Sequence, residues 1–124
     1  MYTISFNAPL AILICYDSSV SWKRHYDKKD MGDVDSSIVT TQMMLEIANL
    51  GLGTTWVGHF SLELIKEKFN LPEYLVPVAL LPIGYPSEDS VPNKLHNIRH
   101  DIQETVFFNS FEGIKPGKNK TTDH

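Results

Sequence analysis

Residues 51–60 read Gly-Leu-Gly-Thr-Thr-Trp-Val-Gly-His-Phe, and they carry most of the chemistry this chain can offer. The stretch follows an amphipathic helical segment, holds a short strand-like run at 54–57 and opens a further helix near Ser61, so it reads as a strand-to-helix corner. Gly58 has no Cβ. A flat ligand can therefore approach its amide without a clash, and the helix start beside it offers further unpaired N–H donors. The competing reading is structural: Gly51 and Gly53 end one helix, and Gly58 shapes a packed corner. No phosphate-binding Gly-Lys-Ser/Thr loop and no serine-centred nucleophile elbow is present. The histidines are scattered, and no metal site is expected.

Composition narrows the setting for that corner. A chain of 124 residues with 42% hydrophobic and 21% charged content reads as one folded domain able to bury a core. Eleven Lys plus Arg against fifteen Asp plus Glu give a net charge of −4, and the basic residues are dispersed, which argues against nucleic-acid binding. No apolar run approaches the roughly 18 residues of a membrane span, and the start lacks a basic-then-apolar leader, so a cytoplasmic protein is expected.

The elements that must hold the corner follow from pattern. Residues 10–16, Leu-Ala-Ile-Leu-Ile-Cys-Tyr, are continuously apolar between Pro9 and Asp17 and predict a strand buried on both faces. Cys15, the lone cysteine, reads as a buried, inert thiol. Residues 1–9 alternate Tyr2, Ile4 and Phe6 with polar neighbours, as a short strand or an extended lead-in. Residues 18–32 form a polar loop whose Trp22 either lines a ligand site or folds back to plug a core edge. Residues 33–50 are the clearest helix, with Asp33 as its cap, Asp35 near the positive end of the dipole and Gly51 as a left-handed terminator. Its apolar residues Val34, Ile38, Val39, Met43, Leu45, Ile47, Ala48 and Leu50 cover more than one stripe, which predicts burial on more than one side. Met43 and Met44 are packing residues.

Ser61 caps a second helix with Leu62, Ile65 and Phe69 on its apolar face, ending at Asn70-Leu71-Pro72. Residues 76–85 form the third strand. Its Pro77 and Pro82 cannot donate to a ladder and should sit at the ends of pairing or face an unpaired side. A polar connector at 86–94 leads to 95–108, which carries His96, Arg99, His100 and Asp101. Residues 109–124 have little to bury and read as a disordered tail.

Three motifs in order resemble the FMN-dependent nitroreductase family: Leu-Gly-Leu-Gly-Thr-Thr-Trp-Val-Gly-His-Phe at 50–60, Phe-Asn-Leu-Pro-Glu at 69–73 and Val-Pro-Val-Ala-Leu-Leu-Pro-Ile-Gly-Tyr-Pro at 76–86. The resemblance extends over roughly residues 8–106. It implies an α+β fold, a nitroreductase-like mixed sheet flanked by helices, built as an intertwined homodimer with FMN at the subunit interface. It also implies an oxidoreductase in which NADH or NADPH reduces the flavin, which then reduces a small-molecule acceptor such as a nitroaromatic or a quinone. The redox chemistry belongs to the flavin, so no catalytic side chain is assigned.

The family's corner maps onto Trp56, Val57, Gly58 and His59, and the Gly58 and His59 amides fall on the N5 and O4 edge of the ring. The family usually carries a second glycine or a small residue where His59 stands, so His59 could instead contact substrate. Near its C-terminus the family places Arg-x-x-Leu-x-Glu-x-Val. Arg-His-Asp-Ile-Gln-Glu-Thr-Val at 99–106 matches it and makes Arg99 the candidate for the FMN phosphate, although the second basic residue two positions earlier is here Asn97. The Arg-rich N-terminal motif of the family has no counterpart before Ala8. On this resemblance residues 1–108 are the C-terminal portion of a nitroreductase-like domain, either of a longer protein or of a short member. The alternative is a remnant that binds no flavin and serves as a dimerisation or interaction module.

Overall fold

A computed structural model describes residues 7–114, so most of the strand or lead-in expected over 1–9 and most of the tail expected over 109–124 lie outside the described residues. Two compact units are present, Met1–Glu88 and Asp89–His124, and the boundary falls in the polar connector. In the first unit the elements run β1 (Leu10–Asp17), α1 (Gly32–Asn49), β2 (Gly53–Thr54), α2 (Leu62–Lys68) and β3 (Leu75–Gly84). The sheet order is β1-β3-β2, and both pairings are antiparallel. A parallel strand that would make this sheet mixed is not among the described residues.

The most apolar run forms the middle strand. From Ala79 to Ile83 every residue of β3 is buried, as a strand with neighbours on both edges requires. On one face Ala79, Leu81 and Ile83 meet Ile14 of β1 and Ile47 of α1, with Met43, Met44 and Leu52 packed around them. Leu80 alternates to the other side, and α2 packs on β3 while burying Ile65.

β1 departs from expectation. Only Ile14 is buried, while Leu10 and Ala11 are exposed and the rest are half-buried, because β1 is an edge strand and its second face lacks cover. Cys15 is half-buried, and desolvation raises its pKa, which keeps it a thiol. The prolines sit deeper in the ladder than predicted. Pro77 lies opposite Cys15 beside a bulge, and Pro82 pairs with Ala11 while its carbonyl accepts the Thr54 hydroxyl at 2.8 Å.

Helix α1 begins at Gly32, and Asp33 is not its cap. Met31 holds the cap position without a side-chain bond, while Asp30 Oδ1 accepts the Gly32 N–H at 2.8 Å and Asp33 and Asp35 sit in the first turn. The start is tight because the Tyr16 ring lies against Gly32, where an added Cβ would come within 2.2 Å of it. The far end follows expectation. Gly51 takes φ +75, its N–H donates to Ala48 O and the Leu52 N–H donates to Ile47 O, a paired closure that turns the chain toward β2.

Which face α1 buries was not what its apolar residues indicated. Gly32, Ser36, Thr40 and Ile47 face the sheet, while Val34, Ile38, Val39, Leu45 and Leu50 are exposed. Thr40 is 0% exposed at no hydrogen-bonding cost, since its hydroxyl donates to Ser36 O at 2.6 Å. Small residues let the helix approach closely and leave the apolar stripe of Val34, Ile38 and Leu45 outward.

The 18–32 loop is a folded ribbon. Lys23 and Asp30 form an antiparallel bridge, and Met31 N–H donates to Trp22 O at 2.9 Å. Asp30 accepts from Ser21 Oγ at 2.7 Å, and this bond, followed by the Gly32 amide and Lys23, holds its carboxyl below the usual range. Trp22 is exposed and plugs no core edge among the described residues. In the second unit Asp101 caps a short 3-10 turn, Ile102–Glu104, and Phe107 lies 6.1 Å from Phe111 between ring centres.

Candidate functional site

The corner after α1 is stitched to the middle strand at two points. Gly53 and Thr54 pair with Gly84 and Ile83, and three residues on Val57 donates its N–H to Leu80 O at 3.0 Å and accepts the Leu80 N–H at 2.9 Å. Val57 is buried, so its backbone is consumed by the sheet and unable to serve a ligand directly. It is an anchor, and the groups available for binding begin at the next residue.

Gly58 and His59 are exposed, and among the described residues neither N–H has a protein partner. Two consecutive free donors therefore leave a fixed point on the sheet. The three glycines of the stretch separate cleanly. Gly51 is required by its positive φ, and Gly53 by packing, with Pro86 Cγ 3.3 Å from where its Cβ would be. Gly58 has neither reason: its φ is not in the left-handed region, and a Cβ there would meet only the Trp56 indole, at 3.4 Å from Nε1. The missing side chain leaves room that the described chain does not fill.

That room and the two unpaired donors are what an acceptor-rich edge of a flat ring needs, so the residues present fit a flavin edge. Trp56, Val57, Gly58 and His59 are thus brought together as one feature. The helix start after Ser61 adds less than expected: α2 has seven residues, and the Ser61 hydroxyl already accepts the Leu64 N–H at 3.2 Å.

Arg99 belongs to the second unit and is exposed. Its Nη1 donates to His96 O at 2.7 Å and Ile98 O at 2.9 Å, while Nε and Nη2 have no partner among the described residues. His96 and His100 stand four residues apart, a spacing that aligns two imidazoles on a helix, but 96–100 is a turn and extended chain. His100 Nδ1 instead lies 3.0 Å from Glu104 Oε2. Among the described residues no three metal-ligating side chains gather. A shallow groove lined by Asp33, Val34, Ser37, Ile38 and Thr41 runs along the outer side of α1 and includes no residue of the corner.

Sequence reasoning missed Thr54, Leu80 and the ring of Trp56 as parts of this site. Thr54 and Leu80 act through long-range pairing, for which a single sequence carries no signal. The Trp56 contact spans two residues and was open to notice, as an aromatic beside an unexplained glycine.

The unit is α+β, with a glycine corner and two free amides anchored on its middle strand, and comparison with known proteins gives the family. The model of the nitroreductase family matches residues 3–85, and the chain belongs to that family. A protein of Methanothermobacter thermautotrophicus, provisionally named an NADH dehydrogenase/NAD(P)H nitroreductase, is 34% identical over 92 residues, which is 67% of this chain and 43% of that protein. The crystal structure of a nitroreductase family protein from Clostridium difficile 630 superimposes with a TM-score of 0.77 at 39% identity, covering 86% of this chain and 62% of the other. An FMN-dependent nitroreductase from Clostridium difficile R20291 gives 0.63 at 28% identity, covering 85% and 60%. The chain thus spans less than half the length of the curated relatives it matches, 43% and 48%. No helix among the described residues is long and apolar enough to cross a membrane.

Proposed function

We propose that this chain is the flavin-edge portion of a cytoplasmic FMN-dependent NAD(P)H oxidoreductase, with residues 1–108 forming the C-terminal part of its nitroreductase-like domain. The observation that carries the reading is the pair of N–H groups at Gly58 and His59 that have no partner among the described residues, at a glycine that nothing among those residues requires. Bound FMN would supply the redox chemistry, accepting hydride from NADH or NADPH and reducing a nitroaromatic, quinone or related small molecule. Within the protein, Val57 is held by Leu80 and fixes where the corner begins. Gly58 and His59 then present donors to the ring edge on which negative charge grows, with no reorganisation at that moment. Purified protein mixed with FMN should retain a yellow flavin band through gel filtration, and a colourless protein contradicts the reading.

For the phosphate we propose Arg99, on its sequence pattern and on the donors its guanidinium still has free. Arg99→Ala is expected to weaken FMN binding about ten- to hundredfold, the worth of a charge-assisted hydrogen bond, as read by flavin fluorescence titration. An unchanged affinity removes Arg99 from the site. One observation favours the second reading, a remnant that binds no flavin: Arg99 already spends both Nη1 donors on its own turn. The same titration separates the two.

The outward stripe of α1 supports assembly as a homodimer. Val34, Ile38 and Leu45 are each 40% to 66% exposed along one line of a helix, more apolar surface than a solvated face carries. Ile38→Glu is expected to convert the dimer to monomer in sedimentation velocity, and an unmodified chain that sediments as a monomer contradicts the assembly.

A further inference from the structure

We propose that the Trp56 indole is a positioning group, which lies against Gly58 and sets the direction of the His59 N–H group. This rests on the corner being a flavin-edge site and deepens it. The five-membered edge of the indole flanks Gly58, since a methyl group built on that residue would stand 3.4 Å from Nε1 and 3.8 Å from Cδ1. Apart from the adjoining Val57 and His59, nothing else in the described chain lies within 4 Å of that methyl position. Val57, between the two, is pinned by both of its backbone bonds to Leu80.

The Val57–Gly58 peptide is planar, so the Val57 carbonyl bond to Leu80 already sets the Gly58 N–H. Torsional freedom remains about Gly58, which has no side chain to restrict it, and the His59 N–H beyond it keeps one direction only if something outside the glycine restrains it. The indole is the one group placed to do so. At 36% exposure it is also open to a ligand on its other side. Its Nε1–H has no partner among the described residues and adds a third donor beside the two amides. The ligand class that suits this wall is a planar conjugated ring with acceptor atoms along one edge.

Trp22 is the other tryptophan and is exposed, so Trp22→Phe leaves Trp56 as the sole indole reporter. In that background, FMN should change the Trp56 emission with the same midpoint as the shift in flavin absorbance. Trp56→Ala should bind FMN about two- to tenfold more weakly and shift the midpoint potential of the bound flavin, while Trp56→Phe restores most of both. The urea midpoint should stay at the parent value, a result that separates positioning from folding. If FMN binds Trp56→Ala with parental affinity and potential, or leaves the Trp56 emission unchanged, the positioning role is overturned and the flavin reading stands. If the unmodified chain takes up no FMN, both fall.

Discussion

Leu81→Ala is expected to lower the free energy of unfolding by about 2–5 kcal/mol. Leu81 is 0% exposed, lies on the middle strand opposite Ile12, and sits in the cluster with Ile14, Ile47, Ala79 and Ile83. Its neighbours are held by the ladder on one side and by α1 on the other, so the site cannot collapse around the lost atoms, and a cavity remains. For a domain whose total stability is on the order of 5–15 kcal/mol, that loss would leave a large unfolded fraction. Urea denaturation followed by circular dichroism measures it. Val20→Ala, at a 79% exposed position of the ribbon, is the control and should stay within about 0.5 kcal/mol of the parent. A Leu81→Ala shift no larger than the control's would mean that the core lies elsewhere.

Gly58→Ala is expected to separate binding from folding. The added methyl meets only the indole, at ordinary contact distance, and the φ of Gly58 is not one that excludes alanine. Stability should therefore hold, or rise by about 0.4–1 kcal/mol through the lost freedom of the unfolded chain. FMN affinity should behave oppositely. A methyl group in the space left for the ring pushes the edge away from both the Gly58 and His59 donors. Two hydrogen bonds of about 0.5–1.5 kcal/mol each to the neutral edge of the oxidised ring would be weakened together, a loss of about 1–3 kcal/mol or roughly five- to hundredfold. Thermal unfolding and a flavin titration on the same preparation read both quantities. Parental affinity in Gly58→Ala would mean that nothing flat approaches that residue.

The sequence announced the corner because glycine spacing is a local signal. Gly51 ends α1 through its own backbone angle, and Gly58 stands out by having no local reason. The two long strands were legible as strands from their continuous apolar runs, but only β3 is buried on both faces, while β1 is a largely half-buried edge. What could not be read depends on distant partners. β2 is two residues long and exists only because Gly84 and Ile83 complete it, and the order β1-β3-β2 makes the last strand the central one. The buried side of α1 was hidden for a different reason: Ser36 and Thr40 look solvated by type, yet the Thr40 hydroxyl is satisfied within its own helix, so burying it is cheap. Asp30 displaced Asp33 at the start of α1 because the ribbon before the helix is folded, with its carboxylate held by Ser21 and the Gly32 amide.

If two main-chain donors at one corner read the edge of a flavin ring, their N–H groups must respond when FMN arrives, and that response can be followed residue by residue. Amide nitrogen–proton spectra of labelled protein, recorded during a titration with FMN, test it most directly. The Gly58 and His59 resonances should move farthest, with Val57 nearly still because its N–H stays on Leu80. A titration that leaves the Gly58 and His59 resonances in place, whether or not flavin binds elsewhere, contradicts it.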